Sequence, residues 1–423
     1  QARRFIIDNF DRRSCAVAFE KSVLSTPPVT RKQDVLSIRK HMLTGFGYTP
    51  QAAFFAFNRI RATRVLVVNC CGYGNVGDDS YGHIIRNVCQ TKNVEICIVP
   101  DRFVLAEIAA ASVPELLEVA RFKEESTQSE GGRPRVKLAR FDAVVFGGGG
   151  LLYPEKVLDT ENAISFYANA CLESNVPYYI ISVGFQGIET RSCLDEVRRT
   201  FSSRTEFARF LNGAETVSVR SIVDFRIASD LMSSSSIERL SFHSDLGYGM
   251  RVLLPGTIDD DVEKERNVLM VIVSDWVNPK RDVLLRDLRA DFVPGDEIVF
   301  ANWGGLHACL TDDAVLMRRD IEKNFPKGSV RLMTGKKPDL EFLAREAPSR
   351  TTTLEDIWSL LLRTKVLYTG RYHGLVLGRA AAVPRIETYD YMNYKFEADR
   401  LSGHGELDAD VLAERALSPL RYV

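Results

Sequence analysis

The residues best suited to chemistry in this chain of 423 residues stand in a short turn at 369–374, Thr-Gly-Arg-Tyr-His-Gly. The turn follows the apolar run 366–368 and precedes a segment of small residues that reads as a helix. An arginine two positions from a histidine, close to a helix N-terminus, favours an anion site with a proton donor beside it. A lone histidine is more often structural, but this pairing predicts Arg371 as an anion ligand and His373 as a general acid.

A second arginine, Arg220, ends the strand-like run 217–219 and precedes a helix expected to begin at Ser221. Its guanidinium group matches the geometry of carboxylates and phosphates. Most arginines are solvated surface residues, so the position at the end of a strand is what makes Arg220 a candidate anion ligand.

Two glycine-rich turns also follow strands. Residues 71–79 read Cys-Gly-Tyr-Gly-Asn-Val-Gly-Asp-Asp, and residues 147–150 are four consecutive glycines. A bare backbone brings N–H groups close to an anionic or hydroxylated ligand, although a tight turn whose aspartate caps the next helix would use the same residues. The glycine pattern predicts five residues near the ligand: Gly74, Asn75, Gly77, Gly148 and Gly149.

Asp78 and Asp79 close the first turn and are candidates for a general base, or for a group that orients an acceptor hydroxyl. The spacing of Gly72, Gly74 and Gly77 matches the Gly-x-Gly-x-x-Gly fingerprint of dinucleotide binding, which is a weak signal on its own, and neither turn contains the lysine of a Walker loop. The glycine spacing alone does not exclude a dehydrogenase, which is the least favoured enzyme class here. Since no cluster of His, Asp or Glu has metal-ligand spacing, no metal is predicted.

The turns join strands and helices that alternate regularly from residue 64 onward. Fully apolar strands indicate parallel sheets that are covered by helices on both faces. The predicted strands are 65–69, 94–99, 143–146, 178–183, 216–219, 268–273, 297–300, 330–333, 366–368 and 385–387. The predicted helices are 80–89, 104–121, 161–174, 205–211, 309–323, 354–362 and 375–382.

A chain of this length predicts two domains. We expect an N-terminal extension at 1–60, a Rossmann-like α/β domain at 61–255 and a second one at 256–423. Two doubly wound domains of this kind face each other across a cleft, and ligands bind at the carboxyl ends of the strands.

The composition is that of an ordinary globular protein, and the net charge of -1 gives no basic excess for a nucleic-acid partner. Eight scattered cysteines without a Cys-x-x-Cys pair, and the lack of an Asn-x-Ser/Thr sequon, favour the cytoplasm. The chain opens at Gln1 rather than at methionine, which leaves open a removed signal or anchor and the lumen of the secretory pathway. The sequence carries no signal for an oligomeric state.

Taken in order, the four segments resemble the polysaccharide pyruvyl transferase family. That family combines an early Gly-x-Gly-Asn-x-Gly-Asp turn, a glycine-rich loop after a later strand, a strand ending in Ser-x-Arg, and a late Arg-x-His-Gly segment. Here they correspond to residues 72–78, 147–150, 218–220 and 371–374, and the resemblance spans about residues 64–400. Each motif is weak alone, but the ordered set is specific.

The resemblance implies a GT-B-like fold, phosphoenolpyruvate as donor substrate with no further cofactor, and a sugar or glycan acceptor that is free or lipid-linked. It places the acceptor on the first domain and the donor on the second. It implies that Arg220, Arg371, Lys395 and the backbone of Tyr372 bind the donor. Residues 243–247, His-Ser-Asp-Leu-Gly, depart from the Gly-Asp-Pro pattern expected there.

In the implied reaction His373 protonates the methylene carbon of phosphoenolpyruvate, one sugar hydroxyl attacks the cationic centre, and a second displaces phosphate to close a pyruvate ketal. An imidazolium is expected at neutral pH beside the anionic donor. The same fold and residues would also suit a GT-B-like glycosyltransferase that uses a nucleotide sugar, or a non-catalytic relative that binds an anion or a sugar.

Overall fold

The computed structural model describes residues 64–69, 76–91, 95–100, 138, 141–153, 163–186, 205–254, 266–272, 280–302, 313–334, 354–389 and 393–417. The predicted extension at 1–60, the predicted helix 104–121 and the turn residues Gly74 and Asn75 lie outside these stretches.

Two parallel sheets form the framework of the described residues. The first has the strand order β2-β1-β3-β4-β5-β6 and the second the order β11-β10-β7-β8-β9. The first sheet consists of β1 Arg64–Asn69, β2 Glu95–Pro100, β3 Ala143–Gly147, β4 Tyr178–Val183, β5 Thr216–Val219 and β6 Leu240–Phe242. The second sheet consists of β7 Val268–Ile272, β8 Glu297–Asn302, β9 Val330–Thr334, β10 Thr364–Thr369 and β11 Arg385–Thr388.

Helices lie between the strands and after the last one. They are α1 Val76–Thr91, α2 Ala163–Ser174, α3 Thr205–Gly213, α4 Ile222–Leu231, α5 Met250–Leu253, α6 Lys280–Asp291, α7 Asp313–Asn324, α8 Leu354–Leu362, α9 Tyr372–Ala380, α10 Asn393–Leu401 and α11 Ala409–Leu417. None of the helices in the described stretches is long and apolar enough to cross a membrane.

The first sheet is buried on both faces, as its apolar strands require. In β1, Val65 and Val67 belong to one core cluster, whereas Leu66 and Val68 belong to another. Successive side chains of a strand point to opposite faces, so each face of the sheet packs against its own apolar layer. The predicted α/β class with two doubly wound sheets is confirmed, and its two Rossmann-like halves give the GT-B-like organisation that was expected.

Each sheet has a point where the strand order reverses: between β1 and β3 in the first, and between β7 and β10 in the second. The crevice beside the carboxyl ends at such a switch point is where ligands bind in open α/β sheets. The turn after β1 leads into α1, and the turn after β10 leads into α9. Two of the predicted chemical segments therefore lie at the two switch points.

The C-terminal part of the chain returns to the first sheet. Tyr394 and Ala398 of α10 belong to the core cluster built on β3, β4 and β5. The Ser402 hydroxyl, just beyond α10, accepts a hydrogen bond of 3.0 Å from the backbone N–H of Ile222. The second predicted domain thus contributes helices to the first sheet, while the predicted boundaries at 61–255 and 256–423 stay predictions.

Candidate active site

The turn between β10 and α9 is held by its own side chains. Thr369 Oγ1 accepts a hydrogen bond of 3.0 Å from the N–H of Arg371 and donates one of 2.9 Å to the carbonyl oxygen of Arg371. Arg371 is the N-cap residue of α9, with an extended backbone. A Cβ on Gly374 would lie 2.2 Å from Thr369 Oγ1, so this position needs glycine. The turn fixes the directions in which Arg371 and His373 leave the backbone.

His373 faces the first sheet across the crevice. Its Nε2 lies 2.8 Å from the hydroxyl oxygen of Tyr81 and 3.8 Å from Asp78 Oδ1. The Tyr81 and His373 rings meet edge to face, with centroids 5.4 Å apart. The other nitrogen of His373, Nδ1, would lie 2.0 Å from a Cβ on Gly77, so the glycine turn leaves room for the imidazole.

The glycine loop after β3 packs against the same side chains. Gly148 and Gly149 have φ angles of 73° and 76°, in the left-handed region that favours glycine. A Cβ on Gly148 would lie 2.5 Å from Tyr81 Cγ, and one on Gly149 would lie 3.1 Å from Asp78 Oδ1. The bare backbone thus accommodates the protein's own side chains, and the predicted contact of these glycines with a ligand stays a prediction.

Arg220 is buried at the carboxyl end of β5, with 4% of its side chain exposed. Its Nη1 donates a hydrogen bond of 3.2 Å to Asp245 Oδ2, and its guanidinium carbon lies 4.9 Å from the centroid of the Tyr372 ring. A Cβ on Gly184 would lie 2.3 Å from Arg220 Nε, so the absence of a side chain there lets the guanidinium approach β4. Arg220 is therefore not a solvated surface arginine.

Lys395, on α10, approaches the glycine loop through a glutamine. Its Nζ donates a hydrogen bond of 3.2 Å to Gln186 Oε1, and Gln186 Nε2 donates one of 2.6 Å to the carbonyl oxygen of Gly150. A pocket beside these groups is lined by Arg220, Lys395, Asp224 and the rings of Phe185, Tyr372 and Tyr394. The pocket combines two cationic groups with aromatic walls.

Asp224 also lines this pocket, and its carboxylate is held by two hydrogen-bond donors. It accepts hydrogen bonds from the N–H of Phe185 at 2.8 Å and from the Ser221 hydroxyl at 2.6 Å, while Ser221 caps α4. Burial raises the pKa of the Asp224 carboxyl. The hydroxyl of Tyr394, a residue that is 4% exposed, has no hydrogen-bond partner among the residues that the structure describes.

The imidazole of His373 is neutral in this arrangement. Burial, followed by the positive charges of Arg220, Lys395 and Arg371, lowers the pKa of His373 well below its usual value. The expectation of an imidazolium concerns the site with its anionic donor bound and stays a prediction, because in the ligand-free protein the cations act without a donor anion. Any negative group bound among them would raise this pKa again.

Most of the site residues predicted from the sequence come together in the structure. Asp78, Gly77, Gly148 and Gly149 meet His373 or Tyr81, while Arg220, Tyr372 and Lys395 line the pocket. Asp79 lies in α1, but its side chain is outside the described part of the chain. The assigned roles of all these residues stay predictions.

Sequence reasoning missed Tyr81, Asp245, Gln186, Asp224 and Gly184. Tyr81 stands three positions after Asp78 on α1, a helical spacing that places both on one face. Asp245 lies in the segment 243–247 that departs from the expected pattern, and that departure was the available signal.

Comparison with known proteins gives one family and a set of structures with a similar fold. A sequence model described as polysaccharide pyruvyl transferase matches residues 75–391. The structure is similar to a UDP-GlcNAc 2-epimerase from Methanocaldococcus jannaschii, with 8% identity, 84% of this chain and 91% of that chain covered, and a TM-score of 0.46.

Two further structures match at a similar level. A UDP-GlcNAc 2-epimerase from Neisseria meningitidis bound to UDP-GlcNAc has 11% identity, 85% of this chain and 99% of that chain covered, and a TM-score of 0.44. The α,α-trehalose 6-phosphate synthase from Burkholderia multivorans has 10% identity, coverage of 85% and 95%, and a TM-score of 0.43. None of the curated proteins compared with the chain matches it in sequence.

Proposed function

Because the chain belongs to the polysaccharide pyruvyl transferase family, we propose that it moves the enolpyruvyl unit of phosphoenolpyruvate onto two hydroxyls of a sugar or glycan, forming a pyruvate ketal. The observation that supports this donor is the set of positive charges around one partly buried imidazole. Arg220, Lys395 and Arg371 all lower the pKa of His373. A small molecule with a carboxylate and a phosphate would supply the negative charge that this cluster favours.

The pocket lined by Arg220 and Lys395 is the place that we assign to one anionic group of the donor. The side chains of Tyr372 and Tyr394 also line this pocket. A carboxylate or phosphate there would accept hydrogen bonds from both cations and from the Tyr394 hydroxyl. Arg371, at the N-terminus of α9, would bind the other anionic group, where the helix dipole also favours negative charge.

The chemistry proceeds in two proton-coupled stages. The bound anion raises the pKa of His373, which takes up a proton and delivers it to the methylene carbon of the donor. The cationic C2 centre that results is attacked by one acceptor hydroxyl, whose proton passes to Asp78 or Asp79. The second hydroxyl then displaces phosphate and gives its proton to the departing phosphate, whose developing charge Arg220 and Arg371 stabilise. The scheme calls for no metal or further cofactor.

Calorimetry tests the donor without knowledge of the acceptor. We expect phosphoenolpyruvate to bind the wild type, to lose binding in Arg371→Ala, and to keep it in Arg319→Ala, which removes an exposed arginine of α7. A panel of nucleotide sugars is expected to show no binding. Binding of a nucleotide sugar in place of phosphoenolpyruvate would indicate that the protein is a glycosyltransferase. If neither ligand binds, the proposed donor is contradicted.

A further inference from the structure

A chain of hydrogen bonds leads from Asp245 through Tyr81 to His373. The hydroxyl oxygen of Tyr81 lies 2.9 Å and 3.0 Å from the two carboxylate oxygens of Asp245, and 2.8 Å from His373 Nε2. Tyr81 and Asp245 are fully buried. Asp245 also accepts hydrogen bonds from Arg220 Nη1 and from the N–H of Gly247. Neither Tyr81 nor Asp245 has a part in the reaction scheme above.

The donors and acceptors in this chain can be assigned from its chemistry. Asp245 forms an ion pair with Arg220, so it is a carboxylate and can only accept hydrogen bonds. Burial, and next the charge of Asp245, raise the pKa of Tyr81 well above its usual value, so the phenol keeps its single proton. That proton is donated to Asp245, which leaves the Tyr81 oxygen as an acceptor. The hydrogen between Tyr81 and His373 must then belong to Nε2.

We propose that Tyr81 and Asp245 are positioning residues that keep the single proton of neutral His373 on Nε2. Nδ1 is then the nitrogen that gains the additional proton a general acid needs, a consequence that rests on the proposed function. The tautomer itself is a property of the ligand-free protein and does not depend on the identity of the donor.

The tautomer of His373 with its proton on Nδ1 would leave too few protons for the hydrogen bonds between Asp245, Tyr81 and His373. With the proton of His373 on Nδ1, Nε2 and Asp245 would compete for the one phenol proton of Tyr81. If Asp245 kept that proton, Nε2 would face the Tyr81 oxygen without a hydrogen between them; if Nε2 took it, Asp245 would lose a charge-assisted hydrogen bond and keep only those from Arg220 and Gly247. We therefore expect the Nε2–H tautomer to exceed the other by roughly tenfold or more. Nδ1 lies where a Cβ on Gly77 would stand, so it faces the backbone at the start of α1.

Nitrogen NMR of histidine-labelled protein measures the tautomer directly. The chain has 6 histidines, and the His373→Gln variant assigns the signals of His373. In the ligand-free wild type near neutral pH we expect a protonated Nε2 and an unprotonated Nδ1. In Tyr81→Phe we expect a mixture of tautomers, because Nε2–H has lost the acceptor at 2.8 Å, and Asp78 Oδ1, at 3.8 Å, is too far away for a normal hydrogen bond. Tyr394→Phe, which removes another buried phenol oxygen of the site, is expected to keep the Nε2–H tautomer.

Two results would overturn the proposal: a wild-type His373 that carries its proton on Nδ1, or a Tyr81→Phe variant whose tautomer matches that of the wild type. If Tyr81→Phe does not fold, the wild-type spectrum still decides the assignment. Failure of phosphoenolpyruvate to bind in calorimetry would contradict the proposed function and leave the tautomer result standing, so the two failures are distinguishable.

Discussion

At the scale of single residues, the site is defined by how closely glycines approach charged or polar side chains. Gly77 lies against His373, Gly184 against Arg220 and Gly148 against Tyr81, each at a distance that a Cβ could not share. Because glycine has no side chain, each of these positions leaves the space that a functional side chain from another part of the fold occupies. Glycine substitutions are therefore a direct way to displace individual groups.

Substituting Gly77 with alanine tests this directly. The new Cβ would overlap the imidazole, because its ideal position is 2.0 Å from His373 Nδ1. We expect a folded protein whose free energy of unfolding falls by about 1–3 kcal/mol and whose pyruvyl transfer falls about a hundredfold. The measurements are denaturant unfolding and phosphate release from phosphoenolpyruvate with an acceptor glycan.

Gly213→Ala is the matched control, since its Cβ would lie 2.4 Å from the hydroxyl of Tyr178, a buried residue of the first sheet's core. It should lower stability to a similar extent and leave transfer nearly unchanged. Equal losses of transfer in the two variants would mean that crowding at His373 has no specific effect.

The residue scale also shows what a sequence can and cannot reveal about the site. Arg220 and His373 could be recognised because each belongs to a short motif that follows a strand, Arg220 directly after β5 and His373 in the first turn of α9 after β10. The pairing of Asp245 with Tyr81 could not be recognised, because the two residues are 164 positions apart and no local pattern connects them. Local spacing reveals side chains that share a turn, whereas contacts between a helix and a distant loop depend on the packed fold.

At the scale of secondary structure, helix α10 and the segment after β4 meet through one side chain. Gln186 links Lys395 of α10 to the Gly150 carbonyl of the glycine loop. The two hydrogen bonds of Gln186 hold the Lys395 ammonium group at the pocket, and because Gln186 is uncharged they do not neutralise the positive charge of Lys395. We expect this bridge to tune donor affinity rather than to support the fold.

Gln186→Leu should weaken phosphoenolpyruvate binding. The substitution removes the hydrogen bond that orients the Lys395 ammonium group. Losing one such hydrogen bond costs about 0.5–1.5 kcal/mol, so the dissociation constant of phosphoenolpyruvate should rise roughly two- to tenfold. Calorimetry with Arg319→Ala as the surface control measures the change. An affinity equal to that of the wild type would show that Gln186 has no part in placing Lys395.

All ten strands predicted from the sequence are present, and their apolar runs explain why. The strand β6, Leu240–Phe242, was missed because three residues give no recognisable period. Helix α6, Lys280–Asp291, was missed because mixed charges dominate its sequence and obscure the apolar stripe. Short or highly charged elements take their structure from neighbours that the sequence does not identify.

At the scale of the whole molecule, a buried ion pair joins α9, beside the second sheet, to α10, which packs on the first. Asp399 of α10 is 1% exposed and accepts hydrogen bonds from Arg379 of α9 and from His404 Nδ1. The His404 ring stacks on Phe242 of β6, with centroids 5.8 Å apart. These contacts hold the two halves in the arrangement that brings His373 to Tyr81.

Asp399→Ala should be strongly destabilising, because it removes the buried carboxylate that partly buried Arg379 and buried His404 both use as a hydrogen-bond acceptor. We expect the free energy of unfolding at pH 7 to fall by about 3–5 kcal/mol. Hydrogen bonds and the charges of Arg379 and His404 outweigh burial and lower the folded-state pKa of Asp399 below its usual 3.8. The stabilisation is therefore present above that value and is lost as the pH falls through the depressed pKa.

Unfolding in denaturant at pH 7 and again near the acid limit of folding measures both effects, and the difference from the wild type should shrink in acid. Asp410→Ala provides the control, since Asp410 pairs with Arg251 but has 72% of its side chain exposed. Such a surface pair is expected to contribute about 0–1 kcal/mol. Comparable losses from the two substitutions would argue against a central role for the buried pair.

The most direct test of the account is the NMR titration of His373 with and without phosphoenolpyruvate. In the free protein the pKa of His373 should lie well below its usual value of 6.5. Saturating phosphoenolpyruvate should raise it by at least about one unit, because the anion offsets the charges of Arg220, Lys395 and Arg371. By linkage, the donor should bind more tightly as the pH falls toward that pKa. A normal pKa in the free protein, or one that saturating phosphoenolpyruvate leaves unchanged, would contradict the account.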